Sequence, residues 1–333
     1  MKVAVIGAGI AGLTVASELT QRGLSVTVFE KSRGVGGRLA NKRLGWGNID
    51  IGAQYFTARD ERFKKQLAVW QQQGAAHPWQ FDPHKIEAGN LVASPDTTPR
   101  YVGTPKMNSV AHALAQGLAI SFSTRINTIE HHSLGWRLVT ENGEHIPEPF
   151  DWVVISAPAE QARQLLAGTA LESKIPRQVL EPCWALALAT LGDVPEHIQG
   201  IFGDDLVSWV SRLSSRPQRP KSEAFNDVWM LHFSSEWSAQ HTKTTELNIA
   251  RVGFEWLGKL LGPHISAPLT LVHDYQHYWR YARTASTEIL PEVIADRATG
   301  IAAVGDWTMG GRVEGAYVSA LNFVEYFLDQ LPG

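Results

Sequence analysis

Cysteine occurs once in the 333 residues, at Cys183. One thiol cannot form an internal disulfide, a CxxC redox pair or a thiolate zinc cluster. Charge of one sign is also lacking. Lys plus Arg is 30 and Asp plus Glu is 33, a net charge of −3. With no long basic block, this argues against electrostatic nucleic-acid binding. No apolar run reaches roughly 18 residues, so no transmembrane helix is expected. The apolar start MKVAVIGAGIAG is short and runs into a glycine motif and then Glu18, Gln21 and Arg22. It reads as a buried strand and turn rather than a signal peptide. The expectation is a cytoplasmic protein with no nucleic-acid, membrane or protein partner. The length suits two domains, or one large domain with an insertion. Tryptophan, at 12 residues, is the one type in clear excess.

The first 30 residues read as one βαβ unit. KVAVI at 2–6 is a buried strand, 10–22 carries Ile10, Leu13, Ala16 and Leu19 at helical spacing, and LSVTVF at 24–29 is a second strand. An amphipathic helix is expected over 60–73, loops with short strands over 74–104, and a helix over 106–117. Strands follow at 118–123, 125–131, 135–140 and 152–157, with a hairpin signal at Asn142-Gly143 and a short helix at 160–167. Strand patterns dominate 183–191, 207–211, 227–233 and 269–281, interrupted by a helix at 244–261. The tail returns to α/β character, with a strand at 301–304 and a helix at 313–330. SSRPQRPKSE at 214–223 reads as a surface loop or mobile lid.

Gly7-Ala8-Gly9-Ile10-Ala11-Gly12 is a G-x-G-x-x-G set between a strand and a helix, with a second strand ending at Glu30. Gly7 permits the tight turn, Gly9 leaves room for a pyrophosphate, and Gly12 lets helix and strand pack closely. The helix N-terminus offers free N–H groups to phosphate, and Glu30 offers a carboxylate to ribose hydroxyls. A second glycine set with an arginine, KSRGVGGR at 31–38, follows the acid. Arg38 could neutralise the pyrophosphate of a long dinucleotide. Near the far end, Gly305-Asp306 closes a strand before Gly310-Gly311-Arg312-Val313-Glu314-Gly315-Ala316. Asp306 is placed to accept from ribityl hydroxyls.

These three motifs resemble the flavin-containing amine oxidase superfamily. DIGAQYFTARD at 50–60, MLHFSSEWSAQH at 230–241, HYWRYAR at 277–283 and GDWTMGGRVEGAYVS at 305–319 further resemble its renalase family, in particular the bacterial branch. The chain departs from that pattern at Thr284, where the family often has proline, and at Ala320, where Ser-Gly is common. The resemblance implies an α/β, two-domain flavoprotein of the amine oxidase and p-hydroxybenzoate hydroxylase type, with a Rossmann-like dinucleotide domain and an α+β substrate domain. An FAD-binding domain from 1–59, 100–165 and 290–333 would carry a substrate domain from 60–99 and 166–289. FAD would be bound non-covalently, because no cysteine lies near the C-terminal motif to form a thioether. The resemblance carries the cofactor set onto Gly7, Gly9, Ile10, Ala11, Gly12, Glu30 and Lys31, then onto Gly37, Arg38, Gln54 and Ile126, and finally onto Asp306, Gly311, Val313 and Glu314. The flavin ring edge would lie near Gln54, Tyr55, Thr308 and the 310–314 turn.

A strand over 273–283 places His273, Tyr275, His277, Trp279, Tyr281 and Arg283 on one face. Such a stripe is either an aromatic wall over the flavin or an aromatic core face. His273 and His277 would share a metal only on a helix, so no metal is expected. Tyr55, Trp279, His232 and Tyr281 are the catalytic candidates, and Trp209, His277 and Arg283 the substrate contacts. Trp237 is a further chamber candidate. There is no second G-x-G-x-x-G for a nicotinamide domain and no dithiol relay. The oxygen-activating lysine of many amine oxidases would have to be Lys221, Lys243 or Lys259, none in a convincing strand. The resemblance therefore implies an FAD oxidase that converts 1,2- and 1,6-dihydro isomers of NAD(P) to NAD(P)⁺ and reduces oxygen to hydrogen peroxide. An amine oxidase or related dehydrogenase is the alternative, and a non-catalytic flavin sensor a second one. Seven of the 12 tryptophans fall in the second half of the chain, which places the excess mostly in the cover over the flavin.

Overall fold

The computed structural model describes residues 1–242, 248–285 and 290–329. The protein has a two-domain α/β fold with a Rossmann-like domain. The first layer is a six-stranded sheet in the order Ile294–Asp296, Ile301–Ala303, Trp152–Ile155, Lys2–Ile6, Ser25–Phe29, Ala119–Ser121. Lys2–Ile6 pairs in parallel with both Ser25–Phe29 and Trp152–Ile155. It is apolar almost throughout because both its faces are covered. The helix Ile10–Gln21 packs against Arg312–Leu328 on one side, where Leu13, Val15, Phe323 and Phe327 share a cluster. Chain start and chain end thus meet in one core.

The second sheet has seven strands, in the order Thr270–Thr284, Leu180–Leu191, Asp227–Phe233, Val207–Arg212, Gly200–Phe202, His84–Glu87, Asn90–Ala93. Its alternation is clean. Leu186, Leu188, Leu231 and Phe233 face the helix Ile249–Leu261. Ala185, Ala187, Ala189 and Met230 face the other way, toward Ile49 and Ile51. Gly253 lets the helix sit tightly on the sheet: a Cβ there would come within 2.3 Å of a Leu186 methyl.

Three elements differ from the sequence expectation. The helix expected over 244–261 is observed as Ile249–Leu261, and the part of that range at 244–247 lies outside the described residues, as does position 330 of the C-terminal helix. The helix expected over 106–117 shortens to Ser109–Leu114, because Pro105 and Gly117 bracket it. The helix Glu61–Gln72 packs Phe63, Leu67 and Trp70 into the dinucleotide-side cluster with Tyr317. Its apolar stripe fits against the C-terminal helix, whereas the expected division assigns it to the second domain. Conversely, the hairpin Asn41–Leu44 and Gly47–Asp50 reaches across to the seven-stranded sheet. Among the described residues no helix is long and apolar enough to cross a membrane.

Trp70 is fully buried in this packing. Trp70→Ala is expected to lower the unfolding free energy by about 3–5 kcal/mol, read from urea denaturation. A loss under about 1 kcal/mol would mean that the helix does not dock on the C-terminal helix as described.

Candidate cofactor and substrate site

The first glycine turn is built by close approach. Gly7 has φ +107°, and a Cβ there would lie 2.3 Å from the Ser156 carbonyl oxygen. A Cβ on Gly12 would lie 2.1 Å from the Gly7 oxygen. Gly9 is different: nothing comes within 4 Å of its missing Cβ, so open space lies in front of the turn. Gly9 caps the helix Ile10–Gln21 with no side-chain hydrogen bond and no acid in the first turn. The first-turn N–H groups, including those of Ile10 and Ala11, are therefore free to meet an anion, while the Ile10 and Ala11 side chains are buried. Gly36 donates its N–H to the Ala8 oxygen at 2.9 Å. Gly37, at φ +52°, lies beside Gly9 with its missing Cβ 3.4 Å from the Gly9 Cα. A glycine on each side of an uncapped helix end leaves a cradle that side chains would fill, which fits a dinucleotide phosphate.

Glu30 is buried, and its two oxygens accept from the Ala8 N–H at 2.7 Å and the Ser32 N–H at 2.8 Å. These bonds hold the carboxylate at the strand end with lone pairs to spare for hydroxyl donors. Lys31 is exposed beside it. Ile126 is buried among Ile6, Phe29 and Trp136, so its side chain belongs to the core.

Arg38 and Asp306 pair with each other, through Nη1 to Oδ2 at 3.0 Å and a second, shorter contact. Arg38 also reaches the Ala282 carbonyl at 3.4 Å. The expected pyrophosphate cation and ribityl acceptor are thus one ion pair that joins both chain ends to the long strand Thr270–Thr284. Beyond Asp306 the backbone turns through three positive φ values, +72° at Gly310, +84° at Gly311 and +73° at Arg312. Thr284 faces this turn, 3.3 Å from where a Gly311 Cβ would be, and its buried hydroxyl has no partner. Val313 and Ala320 are buried in the first core.

Two predicted cofactor contacts direct their side chains elsewhere. Glu314 accepts from the backbone N–H groups of Arg59 and Asp60, the latter at 2.7 Å. It fastens the C-terminal helix to the start of Glu61–Gln72. The Gln54 amide donates to the carbonyls of Asp50 and Gly52, each at 2.8 Å, and accepts from Arg216 at 2.6 Å. Both of its donors are engaged by protein, so Gln54 shapes the 50–54 turn from behind.

The face of the seven-stranded sheet turned toward Ile51 is ordered by register. His277, Ala185, His232, Trp209 and Phe202 are successive cross-strand partners, and the row beside it is Tyr275, Ala187, Met230, Ser211 and Gly200. Cross-strand partners share a face, so Ala185, Ala187, Ser211 and Gly200 lie on one face with the rings of His277, His232, Trp209 and Phe202. Trp279 pairs with Cys183 and donates its indole N–H to the Ile51 carbonyl at 2.9 Å. Its ring meets His277 edge-on at 4.5 Å between centroids. At the other end Trp209 lies 5.2 Å from Tyr55 and 5.0 Å from Phe202, and its indole nitrogen is buried without a partner.

The six-residue stripe expected on the edge strand divides. His277 and Trp279 stay at the chamber. His273 stacks on Trp46 of the hairpin at 5.5 Å, and Tyr275 lies under the Lys42 ammonium. Tyr281 packs into the second core cluster, and the exposed Arg283 pairs with Glu181 at 3.5 Å. An irregularity between the pairs Glu181–Arg283 and Cys183–Trp279 breaks the wall at that point. Trp237 stacks on Phe233 and His241, on the helix side of the sheet. Lys221 and Lys259 are exposed, and Lys243 lies outside the described residues. Among the described residues no group of three metal-ligating side chains forms.

The 214–223 segment, expected as a surface loop or mobile lid, is mostly an exposed loop, but two of its arginines are anchored. Arg216 and Arg219 are buried against the Asp50 carboxylate, at 3.2 Å and 2.5 Å. Asp50 also accepts from Asn41 and from the Met107 N–H. Arg216 further bonds Ser211 at 2.7 Å and lies over the Trp79 ring. Two guanidinium groups that need a counter-charge hold the segment down. Periodicity gives no sign of such a pairing. Arg100, held by Asp96 at 2.8 Å and 2.6 Å, was likewise missed and lies against the Tyr55, Phe81 and Phe202 rings.

Burial pushes the His232 pKa down to about 4, with Arg216 and Arg283 adding to the shift and the Ile51 carbonyl opposing it as a hydrogen-bond acceptor. Burial and then Lys42 also lower His277. His232 therefore stands neutral at the centre of the row.

Residues 5–69 match the NAD(P)-binding Rossmann-like domain, and residues 74–326 match the flavin containing amine oxidoreductase family. The chain belongs to the flavin-containing amine oxidoreductase family. The two matches imply a flavin as the cofactor of this amine oxidoreductase-family chain. A curated relative, the 4,4'-diapophytoene desaturase (4,4'-diaponeurosporene-forming) of Staphylococcus aureus strain Newman, is 44% identical over 52 residues, 16% of this chain and 10% of that protein. The match therefore spans one tenth of that relative's length. A putative protoporphyrinogen oxidase from an Exiguobacterium species superposes with TM-score 0.75 at 14% identity over 99% of both chains. Cyclohexylamine oxidase from Brevibacterium oxydans superposes with TM-score 0.71 at 14% identity, again over 99% of both. Reduced UDP-galactopyranose mutase gives TM-score 0.75 at 13% identity over 98% of this chain and 96% of that one. At these identities the three show a shared fold.

Two outcomes follow. Asp50→Ala leaves Arg216 and Arg219 buried without a counter-charge and is expected to cost about 3–5 kcal/mol of unfolding free energy; a urea midpoint equal to wild type would refute the network. For His232, the folded pKa of about 4 lies below the ordinary 6.5. Between those values the unfolded chain binds the proton and the folded chain does not, so stability is lost as pH falls from 6.5 toward 4. The loss is at most about 3 kcal/mol. His232→Gln should flatten that part of the stability curve, and an unchanged slope would assign it to other groups.

Proposed function

We propose that the protein is an FAD-dependent oxidase of the renalase type, oxidising 1,2- and 1,6-dihydro isomers of NAD(P) with oxygen as the final acceptor. The observation that carries this reading is the row His277, Ala185, His232, Trp209 and Phe202. It sets four rings around one alanine, and none of its positions is a lysine or a carboxylate. A bound FAD supplies hydride-accepting chemistry at its ring. The chain supplies position and environment. The Gly9 and Gly37 cradle with the uncapped helix end would hold the diphosphate, and Glu30 the adenosine ribose. The Arg38–Asp306 pair would serve the ribityl side.

Over the ring, Trp279 is fixed by the Ile51 carbonyl and Tyr55 by Trp209 and Arg100. These contacts hold a planar donor in a dry slot. A neutral His232 is a weak base, so the donor must release its hydride without deprotonation. A dihydronicotinamide meets that demand, because its ring nitrogen supplies the electron pair as hydride departs. The product is a cationic pyridinium, which suits a chamber edged by aromatic faces.

Oxidation of an amine is the second reading, favoured by the family match and by the fold shared with cyclohexylamine oxidase. Anaerobic mixing of the FAD-loaded protein with each donor separates the two. Near-stoichiometric 1,2- or 1,6-dihydro-NAD is expected to bleach the flavin absorbance within seconds, and primary amines to leave it unchanged. Bleaching by amines and not by either isomer would reverse the assignment.

A further inference from the structure

His232 is half-buried, with its Nε2 shut away from solvent, and has an unusual set of neighbours for an imidazole. It lies mid-strand in Asp227–Phe233, between Ala185 and Trp209 across the sheet, on the face opposite the helix Ile249–Leu261. Neither side chain beside it in the sheet bonds it: Ala185 has no polar atom, and the Trp209 indole N–H is left without a partner. The Ile51 carbonyl lies close enough to favour the protonated ring, against the larger effect of burial. A neutral imidazole carries one N–H and one lone pair. Among the described residues no protein donor reaches the ring, and Nε2 is buried with no partner. The same Ile51 carbonyl holds Trp279 at 2.9 Å, and the neighbouring Asp50 is clamped by Arg216 and Arg219. The Ile51 carbonyl beside the imidazole is therefore itself rigid.

We propose that the free ring nitrogen of His232 reads the substrate by accepting a hydrogen bond from a neutral N–H donor, the carboxamide NH₂ at the 3-position of the dihydronicotinamide ring. This deepens the reading above and rests on it. Ala185 and Ala187 put only methyl groups on this face beside His232, and a carboxamide coplanar with a dihydronicotinamide ring directs its N–H outward in the ring plane. Arginine or protonated histidine at this position would present only donors to it. A ring substituent of the same size that lacks an N–H would leave the imidazole acceptor unpaired in a buried site, which is the costly case.

The test compares dihydro isomers of NAD with those of its 3-acetylpyridine analogue, whose acetyl group keeps the carbonyl and loses the N–H. Wild type is expected to favour the carboxamide over the acetyl donor about tenfold or more in kcat/KM. The Kd values of the two oxidised products, read by calorimetry, should show the same preference. His232→Leu should bring both ratios near one, and His232→Gln, which restores an acceptor, should recover much of the preference. Melting temperature of both variants checks folding. A wild-type ratio near one, or a preference that survives in His232→Leu, overturns the role of His232 while leaving the oxidase reading intact. Absence of flavin bleaching by either wild-type isomer overturns the oxidase reading itself, and this inference with it.

Discussion

The Asp50 carboxylate is the constraint around which the site is arranged. It is buried, and Arg216 and Arg219 are buried with it. Such a cluster gains little over apolar packing, but removal of one member leaves an unpaired charge in a dry place. It therefore fixes geometry more than it adds stability. Arg216 also holds Gln54, and Gln54 holds the carbonyls of Asp50 and Gly52. The turn between the hairpin and Tyr55 becomes one hydrogen-bonded unit, presenting the Ile51 carbonyl to Trp279 and to His232.

A second ion pair closes the molecule at the other end of the site. Arg38 and Asp306 are separated by 268 positions and bind each other, and Arg38 also touches Ala282 at the end of the edge strand. Three chain regions converge there: the loop after the first βαβ unit, the C-terminal glycine turn and the second sheet. Neither pair is a surface contact, so salt screens them weakly. Between them lies the sheet face with its alanines.

The ionisable groups on this face are uncharged or paired. His232 is held uncharged by burial, and His277 is shifted the same way. The nearest fixed charges are matched: Asp50 by two arginines, Asp96 by Arg100, Asp306 by Arg38. Cys183 lies at the edge of this face with its thiol pushed up to about 12 by burial, so it stays protonated and inert.

Much of this was legible in the sequence. The glycine turn and its βαβ unit follow from local rules, since Gly7 and Gly12 occupy positions where any Cβ would collide with backbone. The strands 227–233 and 183–191 are readable because a two-sided sheet imposes period two on its residues. Membership of the edge strand in an aromatic face was also readable, but its division was not. Whether His273 meets a ligand or Trp46 depends on a hairpin more than 200 positions away. Arg216 and Arg219 read as loop residues because their partner, Asp50, lies 166 and 169 positions earlier. Gln54 and Glu314 are expected at the cofactor by motif, yet their hydrogen-bond partners turn both into scaffold. The sequence by itself determined what depends on neighbours along the chain: steric freedom at glycine, helix and strand periods, and the absence of thiol chemistry. Tertiary structure alone decided which charges are paired and which polar atoms are left open. Burial acts on those groups through distance in space, and distance in space is the quantity that position along the chain does not encode.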